Sequence, residues 1–429
     1  MLINELPHEL LDIIFIKVGY KWQQILMCVC RRWYHINLAW RERNNKQLIR
    51  KTSLSIAVYN VNMFDWAINN GCIFNSYLCS AAAKYKSMEV LKLLRERNCL
   101  SNDLICSIAA EYGHLEVLKW ARQYNCKWNE ETCGYAALNG HLDVLKWARN
   151  NGCLWSISTC YKAALNGHLD VLKWVRTQDP PCPWNSNTMK NAAFNGHLHV
   201  LKWARENGCR WNERTCINAA LNGHLETLKW LRANGCYWNK WVCTFSADNG
   251  HLNVLKWARE NGCDWDDWVC IYAASKGHFE ILKWACANGC PRADGICHYA
   301  TKNGHFEILK WAYANGYSLN EWTCICAAEK GYLNILKWLR ERNCQWDKLT
   351  CQYAALNGHL DILKWARAQN PPCPWDEETC VSAALNGHFE ILKWARSNGC
   401  PWNKYIYLYA SLNNYNDILI WARDNNCPD

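Results

Sequence analysis

Apolar positions along this chain follow two superposed rhythms, a helical one inside short segments and a longer one near 27 residues. Residues 126–152 show both. Cys133, Ala136 and Ala137 fall at i, i+3 and i+4, which predicts a short helix over Thr132 to Asn139 whose small-residue face permits close approach. Gly140 ends it, as glycine does at helix C-termini. A second helix is expected from His141 to Asn151, with Leu142, Leu145 and Ala148 on one stripe and Val144 and Trp147 on an adjacent one. Asp143, Lys146 and Asn150 make the polar stripe. A helix apolar on two flanks is one packed between neighbours. Gly152 ends this helix, and Cys153-Leu154-Trp155 leads to the next unit. Asp143 near its start and Arg149 near its end suit the helix dipole.

The tract from Asn139 to Arg149 then recurs down the chain. Its Gly-His pair falls at His114, His141, His168, His197, His224, His251, His278, His305, His359 and His388, with Tyr332 taking one turn. Steps are 27 residues, except two of 29 that coincide with Pro180-Pro181 and Pro371-Pro372. Proline pairs at an inter-unit loop fit either a loop insertion or a local bend. A fixed period of this size means a stacked repeat array, in which each unit buries its apolar face only against its neighbours. The function is therefore that of a surface. The regular tryptophans Trp120, Trp147, Trp174 and Trp203 read as core, and the repeated histidine as a turn-and-packing residue.

The repeat overrides the prior of about three domains that 429 residues would suggest. With no apolar leader and no run of ~18 apolar residues, the chain is expected to be soluble and intracellular. Most of the 28 cysteines fall at two phases of the repeat, as in Cys126/Cys133, Cys153/Cys160 and Cys236/Cys243. Copies of one phase stand ~10 Å apart, too far for a disulfide, so a reducing compartment is expected. No C-x-x-C pair occurs, which argues against zinc; these cysteines read as small buried hydrophobes. The net charge of +10 is spread out. Lys119, Lys146, Lys173 and Lys229 each follow a carboxylate three residues earlier (Glu116, Asp143, Asp170, Glu226), the pattern of a solvated helix face. A basic groove for nucleic acid would lack those partners.

The pattern A-A-x-N-G-H-L-x-x-L-K-W resembles the A-A-x-x-G-H-x-x-x-V-x-x-L-L stretch of ankyrin repeats. The T-P-L-H opening is replaced by forms such as Thr132-Cys133-Gly134-Tyr135, and the unit is about six residues shorter than the usual ~33. The resemblance implies an all-α, ankyrin-like helical solenoid with shortened hairpins over residues 53–429. It has about fourteen units if Trp66 and Leu93 mark two weaker early ones.

Residues 1–45 lack the repeat, and 46–52 read as a linker. They carry Leu6-Pro7-His8-Glu9-Leu10-Leu11-Asp12-Ile13-Ile14-Phe15, then Cys28-Val29-Cys30-Arg31-Arg32-Trp33. Pro7 sits at a helix start, and Leu10, Leu11, Ile14 and Phe15 make a wide apolar face. This segment resembles an F-box, a three-helix module that docks on the Skp1 adaptor of a cullin-based ubiquitin ligase. The resemblance implies docking through Leu6, Pro7, Leu10, Leu11, Ile14 and Phe15, aided by Val29 and Trp33 on the second helix. The bridge Gly19-Tyr20-Lys21-Trp22 departs from the family in lacking its Asp-Pro. The bland reading of residues 1–45 is a cap on the first repeat. An F-box ahead of short Trp/Cys-rich ankyrin-like units is similar to proteins of large DNA viruses of amoebae, which would place the chain in the host cytoplasm or nucleus.

Scaffold positions repeat; recognition positions break the pattern. Two residues before the turn glycine stand Leu138, Leu165, Phe194 and Leu221, then Asp248, Ser275, Lys302 and Glu329, then Leu356 and Leu385. The same central units gain Trp241, Trp268 and Trp322 at one phase and lose the linker tryptophan at Arg292 and Leu319. Phe245, Tyr272 and Tyr299 stand one turn before the polar positions. Aromatics rimmed by charge resemble interface hot spots, and the ankyrin resemblance puts first helices on the client face. The expected client site is therefore Trp241, Phe245, Asp248, Trp268, Tyr272, Ser275, Tyr299, Lys302, Trp322 and Glu329. Drift of relaxed units is the plain alternative.

No phosphate-cradling loop, H-E-x-x-H or non-repeated Ser/His/Asp or Cys/His set is present, so no catalysis, cofactor or metal is expected. The reading is a substrate adaptor that recruits Skp1, and through it a cullin, while its repeats hold a client protein. The alternatives are a scaffold that sequesters a host protein with residues 1–45 only capping it, and a nucleic-acid-binding solenoid.

Overall fold

The computed structural model describes residues 58, 61, 64, 65, 76–97 and 104–428. The F-box-like segment with Leu6, Pro7, Leu10, Leu11, Ile14, Phe15, Val29 and Trp33, the linker at 46–52 and Trp66 lie outside them. Among the described residues the structure is all-helical, with 26 helices and no strand. It is an ankyrin-like repeat of helix pairs. The chain divides between Trp211 and Asn212 into two compact units, each a run of such pairs.

One pair shows why the sequence folds this way. The first helix is Glu130–Leu138, beginning two residues earlier than apolar spacing suggests. Asn129 sets that start: its side chain accepts from the Glu131 backbone N–H at 3.1 Å, satisfying an otherwise orphaned donor. Ser156, Asn185, Asp347 and Asp376 cap their own helices in the same way. Gly140, at φ +74°, turns the chain so that the His141 N–H donates back to the Ala136 carbonyl at 2.9 Å. The second helix is Leu142–Asn150. Its buried residues are Val144, Leu145 and Ala148; Leu142, expected in the core stripe, is only half-buried.

First helices do the close packing. In the first unit Ile105–Glu111, Glu130–Leu138, Ile157–Leu165 and Ser186–Phe194 each lie against the next. In the second, Trp241–Asp248, Trp268–Lys276, Ile296–Lys302 and Glu321–Glu329 do the same. The fully buried alanine pairs, such as Ala136-Ala137 and Ala163-Ala164, allow that approach.

Three polar devices lock one pair to the next. The first is the histidine. His251 Nε2 donates to the Leu221 carbonyl at 3.1 Å, and His278, His305 and His359 bond Asp248, Ser275 and Glu329 in the same way. The ring lies over the turn glycine of the preceding pair. A Cβ on Gly223 would stand 2.6 Å from His251 Nδ1, so that glycine is required by contact as well as by its φ of +75°. Tyr332 covers Gly304 where histidine is missing.

The second device is the linker cysteine. The thiols of Cys153, Cys263 and Cys344 donate to the carbonyls of Asn129, Asn239 and Asn320, which stand just ahead of the preceding first helices, at 3.3, 3.3 and 3.2 Å. The cysteines are buried as expected, but they are hydrogen-bonded struts and not only small hydrophobes. The two phases also meet each other, a contact that comparing copies of one phase overlooks. Cys324 Sγ lies 3.2 Å from Cys344 Sγ. The hydrogen bond to its linker partner and burial push the first-helix thiols Cys133, Cys160, Cys216, Cys243 and Cys324 above the ordinary range, so they stay protonated.

The third device is an aromatic clasp. Arg149 stacks on linker Trp155 at 4.2 Å and donates to the Cys153 carbonyl at 3.3 Å. Trp155 in turn packs edge-on against Trp174 at 6.0 Å. The regular tryptophans are thus not all core. Trp120 is buried, whereas Trp147, Trp174 and Trp203 are half-buried partners in this clasp.

The proline pairs are loop insertions. After Pro180-Pro181, Cys182 still donates to the Ser156 carbonyl at 3.4 Å and His197 Nε2 to the Leu165 carbonyl at 3.1 Å. The extra two residues are absorbed before the struts resume.

If the histidine–glycine contact governs stacking, Gly223→Ala should destabilise the chain by at least ~1–2 kcal/mol from its left-handed conformation alone. His251→Ala should cost ~1–3 kcal/mol by stranding the Leu221 carbonyl. Denaturation midpoints check both, and the double variant should cost less than the sum because the two residues touch.

Candidate protein-binding surface

The expected client residues lie on four successive first helices of the second unit. Trp241 and Trp268 open two of them and are 39% and 40% exposed; Trp322, in the first turn of Glu321–Glu329, is 49% exposed. Large side chains this open fall outside the packing scheme of the repeat. Two of them are propped from within their own helices. Trp241 stacks on Phe245 with centroids 5.6 Å apart and planes at 27°, and Trp268 lies 5.5 Å from Tyr272. Phe245 and Tyr272 are half-buried, so they act as supports for the tryptophans. Lys240 pairs with Asp266 at 2.9 Å beside the Trp241 ring.

The row is interrupted once. Gly295 stands at the tryptophan phase between Trp268 and Trp322, and the Tyr299 ring lies where its Cβ would be, at 3.1 Å. The bulk missing at Gly295 is thus partly supplied from one turn along.

The four polar substitutions behave differently from one another. Lys302 is exposed, while Asp248, Ser275 and Glu329 are half-buried. Ser275 accepts from Asn303 at 3.2 Å and Glu329 pairs with Lys330 at 2.8 Å. Asp248 Oδ1 is buried without a hydrogen-bond partner. Leucine fills this place in other units, so the carboxylate is a stability cost that the scaffold does not demand.

Some residues were not singled out by the repeat pattern. Tyr405 shares the tryptophan phase and is 49% exposed, and Leu408, Leu412 and Ile420 are exposed on the pair Tyr405–Leu412 and Asn416–Asp424. Their phase was legible; their exposure needed the structure. One non-repeated Cys/His contact also appears, contrary to expectation: Cys326 Sγ lies 3.5 Å from His298 Nδ1. Burial pushes the Cys326 thiol up to about 11 and lowers the imidazole, the reverse of what an activated nucleophile needs.

Along the second helices the lysine ridge is partly neutralised. Lys119–Glu116, Lys229–Glu226, Lys283–Glu280 and Lys310–Glu307 form ion pairs at 2.8 to 3.1 Å. The pairs expected for Asp143 and Asp170 are not among those formed by the described residues, since the shorter side chain does not span the same gap. Among the described residues no group of three or more metal-type ligands converges, and no helix is long and apolar enough to cross a membrane.

Four stretches, residues 106–149, 189–232, 242–285 and 297–340, match the family model of ankyrin repeats in many copies. The repeat is ankyrin-like. Each stretch covers two helix pairs, so the match recognises the stacked unit and not a single helix. Among solved structures, the human ASB11 ankyrin repeat domain is similar at 18% identity, covering 37% of this chain and 84% of that one, with a TM-score of 0.33. No curated protein sequence matches. Ankyrin repeats bind proteins in general, and that is the coarse function such an array supports.

Restoring the repeat residue by Asp248→Leu should raise stability by about 1 kcal/mol, because it removes a buried unpaired oxygen. A rise in the denaturation midpoint checks this; a fall would mean that the carboxylate is satisfied in solution.

Proposed function

We propose that the chain is a substrate-recognition adaptor of a Skp1-cullin-F-box type ubiquitin ligase. In this reading Leu6, Pro7, Leu10, Leu11, Ile14 and Phe15, with Val29 and Trp33, dock a Skp1-like protein. The ankyrin-like repeats hold a client that a separate enzyme modifies, and the chain itself catalyses nothing. The observation that carries the client half is the row Trp241, Trp268 and Trp322, half-exposed on first helices in the units where the repeat pattern breaks. Tryptophan at the centre of a contact supplies large area at low entropic cost, and a neighbouring rim of Lys240, Asp266 and Lys302 supplies selectivity. The Skp1 half rests on the F-box resemblance of the sequence. A protein client and an intracellular, reducing setting fit a chain whose described cysteines are thiols, most of them buried. The resemblance to proteins of amoebal viruses would make that client a host protein.

Co-precipitation from amoebal lysate separates the two halves. Wild-type chain should bring down a Skp1-like protein, a cullin and a client; the variant Pro7→Ala, Leu10→Ala, Ile14→Ala should keep the client and lose the ligase components. Retention of a client with no ligase component from either chain would make the protein a sequestering scaffold. The variant Trp241→Ala, Trp268→Ala, Trp322→Ala should do the opposite, weakening the client by at least ~30-fold, or ~2 kcal/mol.

A further inference from the structure

The second helix Phe279–Ala287 ends in a joint unlike its neighbours. At this phase the chain carries arginine in Arg122, Arg149, Arg176, Arg205, Arg232 and Arg259, and again from Arg340 onward. Here it carries Cys286. Two further substitutions meet the first. The linker tryptophan on which that arginine would stack is Arg292, and the next linker cysteine is Tyr317. Arg292 turns away, lying 4.6 Å over the Tyr317 ring and donating to the Gly316 carbonyl. The Tyr317 hydroxyl reaches back to Cys286 Sγ at 3.4 Å. Cys286 Sγ also lies 3.8 Å from Cys270 Sγ on the neighbouring first helix. Cys290, which donates to the Asp266 carbonyl at 3.3 Å, adjoins Cys270 from the linker.

Losing the Arg–Trp clasp also opens this place. Among the described cysteines Cys286 and Cys290 are the two that are not fully buried. Reactive thiols need access, a stabilised thiolate and a partner within reach, and this joint brings the three together in a ladder whose other described thiols are buried.

We propose that Cys286 is an oxidant-reactive thiol, converted by hydroperoxides to a sulfenic acid that Cys270 traps as an intramolecular disulfide. The Cys286 sulfur attacks the terminal peroxide oxygen and the O–O bond breaks; the leaving oxygen takes a proton and departs as water or an alcohol. Cys270 sulfur then attacks Cys286 sulfur, the S–O bond breaks, and the Cys270 proton leaves with the hydroxyl as water. Two electrons pass from the thiol pair to the peroxide. The sulfurs close from 3.8 Å to a bonded ~2.05 Å, a movement that falls in the last helical turn beside a linker.

The electrostatics agree with these roles. Hydrogen bonds from Cys270 and Tyr317 bring the Cys286 thiol down to about 6 against the opposing effect of burial. Its hydrogen bonds with Cys286 and Cys290, with burial, push Cys270 up, so it enters as a thiol. The pair Cys324/Cys344 is closer still but fully buried, and serves as an internal control.

The test is peroxide titration of the reduced full chain at pH 7, alkylation of remaining thiols, and peptide mapping by mass spectrometry. The expected product is a Cys270–Cys286 linked peptide, with Cys286 lost at least about tenfold faster than Cys133 or Cys324. In Cys270→Ser, dimedone should label Cys286; in Cys286→Arg, which supplies the residue the repeat uses elsewhere, the linked peptide should vanish without loss of folding. Without oxidant, Cys286 alkylation should rise through pH about 6, since the thiolate predominates above that point, while Cys106, which burial pushes up to about 12, stays unreactive. Loss of Cys286 no faster than Cys324, or a link from Cys286 to Cys290 in place of Cys270, would overturn the proposal.

Discussion

The imidazole laid across a glycine is the contact on which the rest of the structure depends. In most of the described repeats the histidine ring occupies the space that a Cβ on the preceding turn glycine would fill, and the Nε2 of His251 and of His278, for example, donates to the carbonyl two residues before that glycine. One ring thereby fixes the separation of two helix pairs and satisfies a carbonyl that a helix C-terminus leaves open. Glycine is forced twice, by its positive φ and by the ring above it. The cysteine strut and the Arg–Trp clasp then act on the other side of the same joint. Because all three contacts are local, the array is built by addition and needs no long-range core.

That locality explains what could be read from sequence. Period, helix pairs, turn glycines and the two proline insertions were legible because each is a short-range pattern of residue types. Helix starts were not, because the residue that decides them, Asn129 in one unit, is polar and lies ahead of the apolar run. The role of the tryptophans was misjudged for a related reason. A tryptophan at regular spacing reads as core, yet Trp147 is the half-buried edge of a clasp whose partners, Trp128 and an arginine, come from other segments. Contacts between residues about 20 apart, as between Cys324 and Cys344, are set by how a linker folds back, and no periodicity announces them.

Departures from the repeat are where function can be sought, since the scaffold itself is over-specified. Between Trp241 and Trp338 several positions change together: aromatics open onto the surface, a carboxylate oxygen of Asp248 is left unpaired, and one Arg–Trp clasp gives way to thiols and a tyrosine. Each change forgoes stability that neighbouring units retain. Such local conflicts with the pattern are expected where a surface is used and not merely folded. The Trp268 helix joins the two features, carrying both an exposed indole and Cys270.

Histidine tautomers test the central contact most directly. Selective ¹⁵N labelling of histidine, with imidazole shifts and couplings recorded above the titration range of the ring, reports which nitrogen carries the proton. His251, His278, His305 and His359 should be protonated at Nε2, with ring protons slow to exchange because a carbonyl holds them. Nδ1-protonated rings, or rings averaging freely between tautomers, would mean that the histidines do not bridge the repeats.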